Sequence, residues 1–293
     1  MSQMKNSLIF HTTITPFSNL ALDLDIMRTT GFDGIELGAN KVGAFLASGH
    51  TQAELGALMQ DVHAPGIGFL IDLERQGELA LPLWQSAHEL FDLAVACGAK
   101  GVQVLTGPLD VCAVEEWMAL GRSEKYIGLL GVSPDEQISL TASNLRVLAD
   151  MAAEKGLLLY LETLAWSPVS HLDQALKVIE ATARENVKVL IDYWHCYTSG
   201  VTPDQVARLD KDLIYGVHVC DSLNFPGGIP DEKTLRDVPT GQGVLDLQVW
   251  TDAVRATGYE GWWSCELFCR KQHQENSYQI AASLRQLMQT LIA

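Results

Sequence analysis

Four apolar segments of this chain each carry an acidic residue or a histidine at or near the carboxyl end. In chain order these residues are Glu162 (in LLLYLE), Asp192 (in VKVLID), His218 (in IYGVHVCD) and Glu266 (in GWWSCE). Runs this rich in Val, Leu and Ile are typical of strands buried on both faces of a parallel sheet. Because burial of an unpaired carboxylate inside such a sheet costs free energy, we expect these polar residues at the strand ends, where the chain reaches the protein surface. Three carboxylates and one imidazole brought together predict a site for one divalent metal ion.

The alternation of strand and helix patterns predicts eight strand–helix units along the chain. The predicted strands are residues 7–14, 34–37, 67–72, 101–106, 157–164, 187–192, 214–222 and 261–268. Helices are predicted near residues 24–30, 51–63, 82–96, 134–155, 171–183, 245–256 and 277–291, with loops at 107–134 and 223–243. A further short helix is predicted to start at Pro203. Strands that alternate with helices in this way favour parallel pairing and right-handed crossovers.

Eight units in 293 residues predict a single (β/α)₈ TIM barrel that spans residues 1–293 as one domain. An open doubly wound sheet would usually have a glycine-rich phosphate turn after its first strand, and the sequence has none there. In a barrel, the carboxyl ends of strands five to eight surround one half of the mouth. The three carboxylates among the four residues would repel one another there without a cation. A bound Mn²⁺, Mg²⁺ or Co²⁺ ion, with Zn²⁺ as a further candidate, is therefore favoured over the alternative that these residues only make ordinary hydrogen bonds at the rim.

The composition limits the classes of partner. Thirty-six acidic and twenty basic residues give a formal charge of −16, which disfavours nucleic acid as a partner. No apolar run approaches the length of about 20 residues that crosses a bilayer, and the N-terminal residues lack the apolar core of a signal peptide. The six cysteines form no CxxC pair, so we expect reduced cysteines in a cytoplasmic protein that does not bind membranes.

The segments LET, IDYWH, GVHVCDS and CEL, together with Arg236 after the seventh strand, resemble the xylose-isomerase-like barrel superfamily. This group of sugar phosphate isomerases and epimerases also contains dehydratases and endonuclease IV. The resemblance implies that one metal ion is bound by Glu162, Asp192, His218 and Glu266. It also implies that the two glutamates serve as acid and base on opposite faces of the substrate, through an enediolate that the metal ion stabilises.

The same resemblance assigns two residues to the substrate. It places His195, in the IDYWH segment, beside the substrate, and it places Arg236 on the distal oxygens. Family members usually have a PGEG-like turn after this arginine, whereas residues 239–243 here read PTGQG. Members of the family often pair, so a homodimer or homotetramer is compatible with the resemblance.

Other residues near the strand ends are further candidates for the site. Trp194, like Trp166, could pack against the apolar face of a sugar ring or belong to the core. His11 and Glu74 lie just past strands one and three, where they could bind a substrate hydroxyl. Asp221 could orient His218 or cap the loop that follows it.

The leading hypothesis is a metal-dependent isomerase or epimerase of a small sugar, cyclitol or other polyhydroxy ketone, with or without a phosphate. The alternatives are a dehydratase or lyase of the inosose or 3-dehydroshikimate type and a noncatalytic sugar-binding barrel. An endonuclease is disfavoured, because the endonuclease IV group uses extra histidines on earlier strands. Strands three and four end here in Asp72 and Thr106.

Overall fold

The computed structural model describes residues 5–293, in which eight parallel strands form a barrel surrounded by helices. The strands are β1 (Ser7–His11), β2 (Gly34–Glu36), β3 (Gly66–Leu70), β4 (Gly101–Val104), β5 (Leu158–Leu161), β6 (Val187–Asp192), β7 (Ile214–Val219) and β8 (Trp262–Cys265). Their order in the sheet is β2-β1-β8-β7-β6-β5-β4-β3. A single bridge between Leu37 and Ile67 joins the two edge strands and nearly closes the ring. The predicted (β/α)₈ barrel is confirmed.

The helices follow the predicted alternation with several differences in extent. They are α1 (Leu20–Thr30), α2 (Ala39–Ala47), α3 (Gln52–Leu58), α4 (Leu81–Cys97), α5 (Val111–Leu120), α6 (Pro134–Glu154), α7 (Leu172–Thr182), α8 (Tyr193–Ser199), α9 (Pro203–Val206), α10 (Glu232–Leu235), α11 (Leu247–Ala256) and α12 (Ser277–Ile292). The capping box of Thr51 and Glu54 is present at the start of α3.

Four helices were absent from the sequence-based prediction, and one of them, α10, lies in the predicted loop at residues 223–243. The predicted loop at residues 107–134 contains α5, which the side chain of Asp110 caps by accepting a hydrogen bond from the Cys112 N–H. Helix α2 follows β2 directly, and α8 begins at the residue after Asp192. Short helices of this kind lack enough turns to show a clear apolar period, so the pattern alone does not reveal them.

Aromatic side chains fill the barrel interior below the mouth. Trp262 packs there with Tyr160, Ile9 and Leu190. Its neighbour Trp263 belongs to the larger core instead, because successive strand residues face opposite sides of a sheet. Gly216 makes room for the indole, because a Cβ at this position would lie 2.0 Å from the Trp262 ring. The floor of the barrel mouth is therefore aromatic, and the ring centroid of Trp262 lies 6.1 Å from that of His218.

Outside the barrel, the larger core lies between the sheet and the ring of helices. All six cysteines are free, as predicted, and only Cys112 among them is exposed. None of the helices in the described part of the chain combines the length and apolar character needed to cross a membrane.

Candidate metal centre

The predicted ligand set forms one cluster at the barrel mouth, where Glu162, Asp192, His218 and Glu266 each offer a donor atom within 4.8 Å of the others. His218 Nδ1 lies 3.3 Å from Glu162 Oε1. It lies 3.8 Å from Asp192 Oδ2 and 3.8 Å from Glu266 Oε2. The cluster forms because β5, β6, β7 and β8 are consecutive neighbours in the sheet, so their carboxyl ends meet. Only Glu266 is partly exposed.

The free atoms of this cluster fit a metal ion. Glu162 Oε1 and His218 Nδ1 are buried and have no hydrogen-bond partner. The other Glu162 oxygen accepts a hydrogen bond of 2.6 Å from the Gln103 side chain. Asp192 uses Oδ1 to accept from the His195 N–H at the start of α8, which leaves Oδ2 toward the cluster. Unpartnered buried oxygen and nitrogen atoms that face one another suit a cation such as Mn²⁺, Mg²⁺, Co²⁺ or Zn²⁺.

Burial and the neighbouring charges shift the pKa values of the two glutamates in the cluster. The pKa of Glu162 is raised to about 8, mainly by burial, and the charges of Asp192 and Glu266 contribute to this rise against the opposing effect of His218. Burial also acts to raise the pKa of Glu266, but Arg236 and His218 outweigh it and lower this pKa to about 2. Without a cation the buried cluster therefore retains a proton near neutral pH, and binding of a cation would release it.

Arg236 lies against the cluster rather than at the protein surface. Its Nη2 donates to Glu266 Oε2 at 2.8 Å and lies 3.5 Å from Asp192 Oδ2, while Nη1 donates to Glu232 Oε1 at 2.8 Å. The guanidinium also stacks 4.2 Å from the ring centroid of Phe268. The structure thus brings this arginine to the ligands, and its contact with substrate oxygens stays a prediction.

His195 lies beside the cluster between two tryptophans. Its ring centroid is 4.8 Å from that of Trp194 and 5.6 Å from that of Trp166. Burial lowers the pKa of His195 to about 4, so the imidazole is neutral. Its Nδ1 accepts a hydrogen bond from the Ala165 N–H, which leaves the proton on Nε2 as a donor. Trp194 is fully buried, and the roles of both residues toward substrate stay predictions.

His11 faces the same cluster from β1. Its Nδ1 accepts from the Thr13 N–H, so that Nε2 carries the proton of the neutral ring. This Nε2 lies 3.6 Å from Glu36 Oε2 and 3.9 Å from Glu266 Oε1. The structure therefore places His11 at the edge of the ligand set, and its contact with a substrate hydroxyl stays a prediction.

Glu74 has a different environment from the one expected for a substrate contact. Its side chain is completely buried. The carboxylate accepts hydrogen bonds from the Tyr126 hydroxyl and, at 2.9 Å, from the Gly107 N–H. It thereby connects the end of β3 to the segment between β4 and α6. A contact between Glu74 and substrate stays a prediction.

The structure decides between the two roles considered for Asp221. Its carboxylate accepts hydrogen bonds from the backbone N–H groups of Ser222, Gly241, Gly243 and Leu245, over distances of 2.8–3.2 Å. A Cβ at Gly243 would lie only 2.2 Å from Asp221 Oδ1, so the loop requires glycine there. Asp221 therefore fixes the PTGQG loop, and another residue orients His218.

Glu36 and Gln103 were not among the site residues predicted from the sequence. His218 Nε2 lies 3.0 Å from Glu36 Oε2, and Gln103 binds Glu162 as described above. Burial acts to raise the pKa of Glu36, but His218 and His11 outweigh it and hold this pKa below its ordinary value. Each residue left a weak signal, since an acid ends β2 and a polar residue interrupts the apolar strand GVQV.

Comparisons with known proteins agree with the barrel fold. A sequence profile of the xylose isomerase-like TIM barrel family matches residues 24–290. An inosose isomerase of Halalkalibacterium halodurans is 25% identical over 262 residues, which cover 88% of this chain and 86% of that protein. A 3-dehydroshikimate dehydratase of Pseudomonas aeruginosa is 31% identical over 265 residues, covering 87% of this chain but only 37% of that protein. The crystal structure of the IolI protein with a bound zinc atom superposes with a TM-score of 0.83 and 21% identity, over 98% of both chains.

Proposed function

Because this chain belongs to the xylose isomerase-like TIM barrel family, we propose that it is a metal-dependent isomerase of a small polyhydroxylated ketone of the sugar or cyclitol type. The observation that carries the proposal is the convergence of unpartnered buried atoms from Glu162 and His218 with the carboxylates of Asp192 and Glu266. The match to inosose isomerase over most of both chains supports a cyclic polyhydroxy ketone as substrate.

A divalent ion bound by these four residues would supply Lewis-acid chemistry, which polarises a ketone oxygen and stabilises the negative charge that develops there. Every remaining part of the proposed mechanism depends on side chains of this chain. His195, with Nε2–H as donor, and Arg236 would orient the hydroxyl groups of the substrate. The packed tryptophans beside His195 would restrict water at this side of the mouth.

The proton transfers are assigned to Glu162 and Glu266. One carboxylate removes the proton from the carbon next to the carbonyl, and the other returns a proton to complete the isomerisation. The two strands that carry them, β5 and β8, are separated by β6 and β7 in the sheet. Their partners also differ, because Glu162 is held by the neutral amide of Gln103 and Glu266 by the cation of Arg236. Such different surroundings give the two carboxyl groups different basicities, as an acid–base pair needs.

Deuterium exchange followed by NMR tests this proposal. The purified protein, loaded with Mn²⁺ or Zn²⁺, is incubated in D₂O with a panel of inososes, ketoses and 3-dehydroshikimate, and a chelator-treated sample is the control. We expect metal-dependent uptake of deuterium at the carbon next to a carbonyl. Absence of exchange on every compound would contradict the proposed isomerase.

Two matched variants test the proton transfers. Glu162→Gln and Glu266→Gln should each lower turnover by about 10²–10⁴-fold while the far-ultraviolet circular dichroism stays unchanged. Glu260→Gln is the control, since this exposed residue lies at the opposite end of β8 and pairs with Lys5. Full activity in either of the first two variants would refute the assignment of two carboxylates.

A dehydratase is the second candidate, supported by the 31% identity to 3-dehydroshikimate dehydratase across 87% of this chain. Removal of the same proton would then be followed by loss of the β-hydroxyl group, which leaves as water after one carboxyl group protonates it. The exchange experiment separates the two reactions, because the dehydratase gives an unsaturated product that has lost water, whereas the isomerase gives an isomer of the substrate that carries deuterium.

A further inference from the structure

We propose that Glu36 is a positioning residue for the metal centre, because it holds the His218 ring so that Nδ1 points toward the other three ligands. This inference rests on the metal centre of the proposed function. The two nitrogens of His218 have separate surroundings: Nε2 lies 3.0 Å from Glu36 Oε2, whereas Nδ1 has no hydrogen-bond partner and lies 3.3 Å from Glu162 Oε1.

Glu36 reaches His218 from the end of β2, a strand separated from β7 in the sheet by β1 and β8. Its carboxylate is held by donors from two further strands. The Tyr160 hydroxyl donates to Oε1 at 2.9 Å, and the Ser264 hydroxyl donates to Oε2 at 3.1 Å. These contacts fix the carboxylate on the inner side of His218, with only 4% of Glu36 exposed.

The position of this carboxylate determines the tautomer of the imidazole. In the neutral ring that binds a metal ion, a carboxylate oxygen at hydrogen-bond distance from Nε2 accepts a hydrogen bond from Nε2–H, which leaves the lone pair on Nδ1. Nδ1 is the atom that faces the cluster, and only a ring nitrogen with a free lone pair can bind a metal ion. Without Glu36, the proton could move to Nδ1 and the ring could rotate, and both changes weaken metal binding.

A second metal site formed by His11, Glu36 and His218 is the competing interpretation, since their donor atoms also lie within 4.8 Å of one another. The contacts favour the positioning role. Both oxygens of Glu36 already accept hydrogen bonds from hydroxyl groups, and the 3.0 Å separation from His218 Nε2 is that of a direct hydrogen bond.

Zinc binding by the full chain tests the inference. The stoichiometry and dissociation constant are measured by competition with a chromophoric chelator for the wild type, Glu36→Gln, Glu36→Leu and Glu74→Gln. The last variant is the matched control, because Glu74 is also a buried glutamate at a strand end, but it binds Tyr126 and Gly107. We expect the wild type to bind one zinc ion per chain. Glu36→Leu should bind zinc with an affinity about 10–100-fold lower than that of the wild type. Glu36→Gln should lose less, since its amide oxygen can still accept the Nε2–H hydrogen bond, and Glu74→Gln should match the wild type.

A spectroscopic measurement separates positioning from a general structural effect. In ¹⁵N-histidine spectra of the zinc-loaded wild type and Glu74→Gln, His218 should show a protonated Nε2 in slow exchange with water. This signal should exchange faster or disappear in Glu36→Leu. If Glu36→Leu does not fold, Glu36→Gln provides the test, because it preserves the size of the side chain.

Three results are distinguishable. Wild-type affinity and an unchanged His218 signal in the Glu36 variants would overturn the positioning role while leaving the metal centre intact. Two zinc ions per chain, with one of them lost in His11→Ala, would replace it by a second metal site. No zinc bound by the wild type would overturn the proposed metal centre itself, and the inference with it.

Discussion

Replacement of Glu74 by glutamine should stabilise the protein at neutral and alkaline pH. Burial raises the pKa of Glu74 to about 7, against the smaller lowering effects of hydrogen bonds from Tyr126 and the Gly107 N–H. Arg75 Nε lies 3.8 Å from the carboxylate but makes no hydrogen bond with it, so it does not offset the burial. In Glu74→Gln, the amide oxygen can accept from Gly107 while the amide N–H₂ donates to the Tyr126 oxygen, as a protonated carboxyl group would.

The magnitude follows from linkage between protonation and folding. The folded pKa of about 7 exceeds the ordinary value of 4.5, so the folded protein binds the proton more tightly than the unfolded chain. The stability that this proton contributes is fully present below pH 4.5 and is lost as the pH rises through 7. The full difference corresponds to about 3 kcal/mol at 1.36 kcal/mol per pH unit, of which about 2.5 kcal/mol is lost between pH 5 and pH 8. The glutamine variant lacks this titration.

Urea denaturation at 25 °C across pH 5–8 measures the effect. The free energy of unfolding of Glu74→Gln minus that of the wild type should rise by about 2.5 kcal/mol over this range. The difference between the two proteins cancels the pH dependence of every other group, including the metal ligands. A difference that is flat, or that falls with pH, would refute the conclusion that Glu74 is protonated in the folded protein below pH 7.

Three further predictions concern buried charges. Arg236→Met should destabilise the metal-free protein by about 3–5 kcal/mol, because the acidic cluster loses its buried cation. Zinc should therefore raise the melting temperature of this variant more than that of the wild type, and an equal rise would contradict the role assigned to the arginine. Asp221→Asn should cost about 2–4 kcal/mol, since an amide N–H₂ group would face backbone donors of the PTGQG loop. Faster hydrogen exchange of these backbone amides would accompany the loss, and unchanged exchange would disprove it. Lys41→Met should cost about 3–5 kcal/mol by leaving Asp23, which lies 2.7 Å from Lys41 Nζ, buried without its cation. Asp23→Asn added to that variant should restore part of the stability in denaturant unfolding, and a purely additive loss would contradict the pairing.

Much of the fold and the four candidate ligands could be predicted from the sequence because their signals are local. An apolar run that ends in a carboxylate shows both the strand and the point where it reaches the surface, as at Asp192 and Glu266. The regular alternation of such strands with helices then predicts the barrel, and the barrel places strand ends together at one mouth. Short helices such as α5 and α8 were missed, since a few turns carry too little periodicity.

Contacts across the barrel were decided only by the tertiary structure. Glu36 and His218 are separated by 182 positions in the chain, and no pattern in either segment indicates that the Glu36 carboxylate will contact the His218 ring. In the same way, Asp221 could have oriented His218 or fixed the following loop, and only the folded position of Gly241 and Gly243 shows that it binds the loop. The sequence by itself determined which strands exist and which residues end them, because periodicity and residue chemistry act between near neighbours. Closure of the sheet determined which of these side chains meet, because it brings together residues that are distant in the chain.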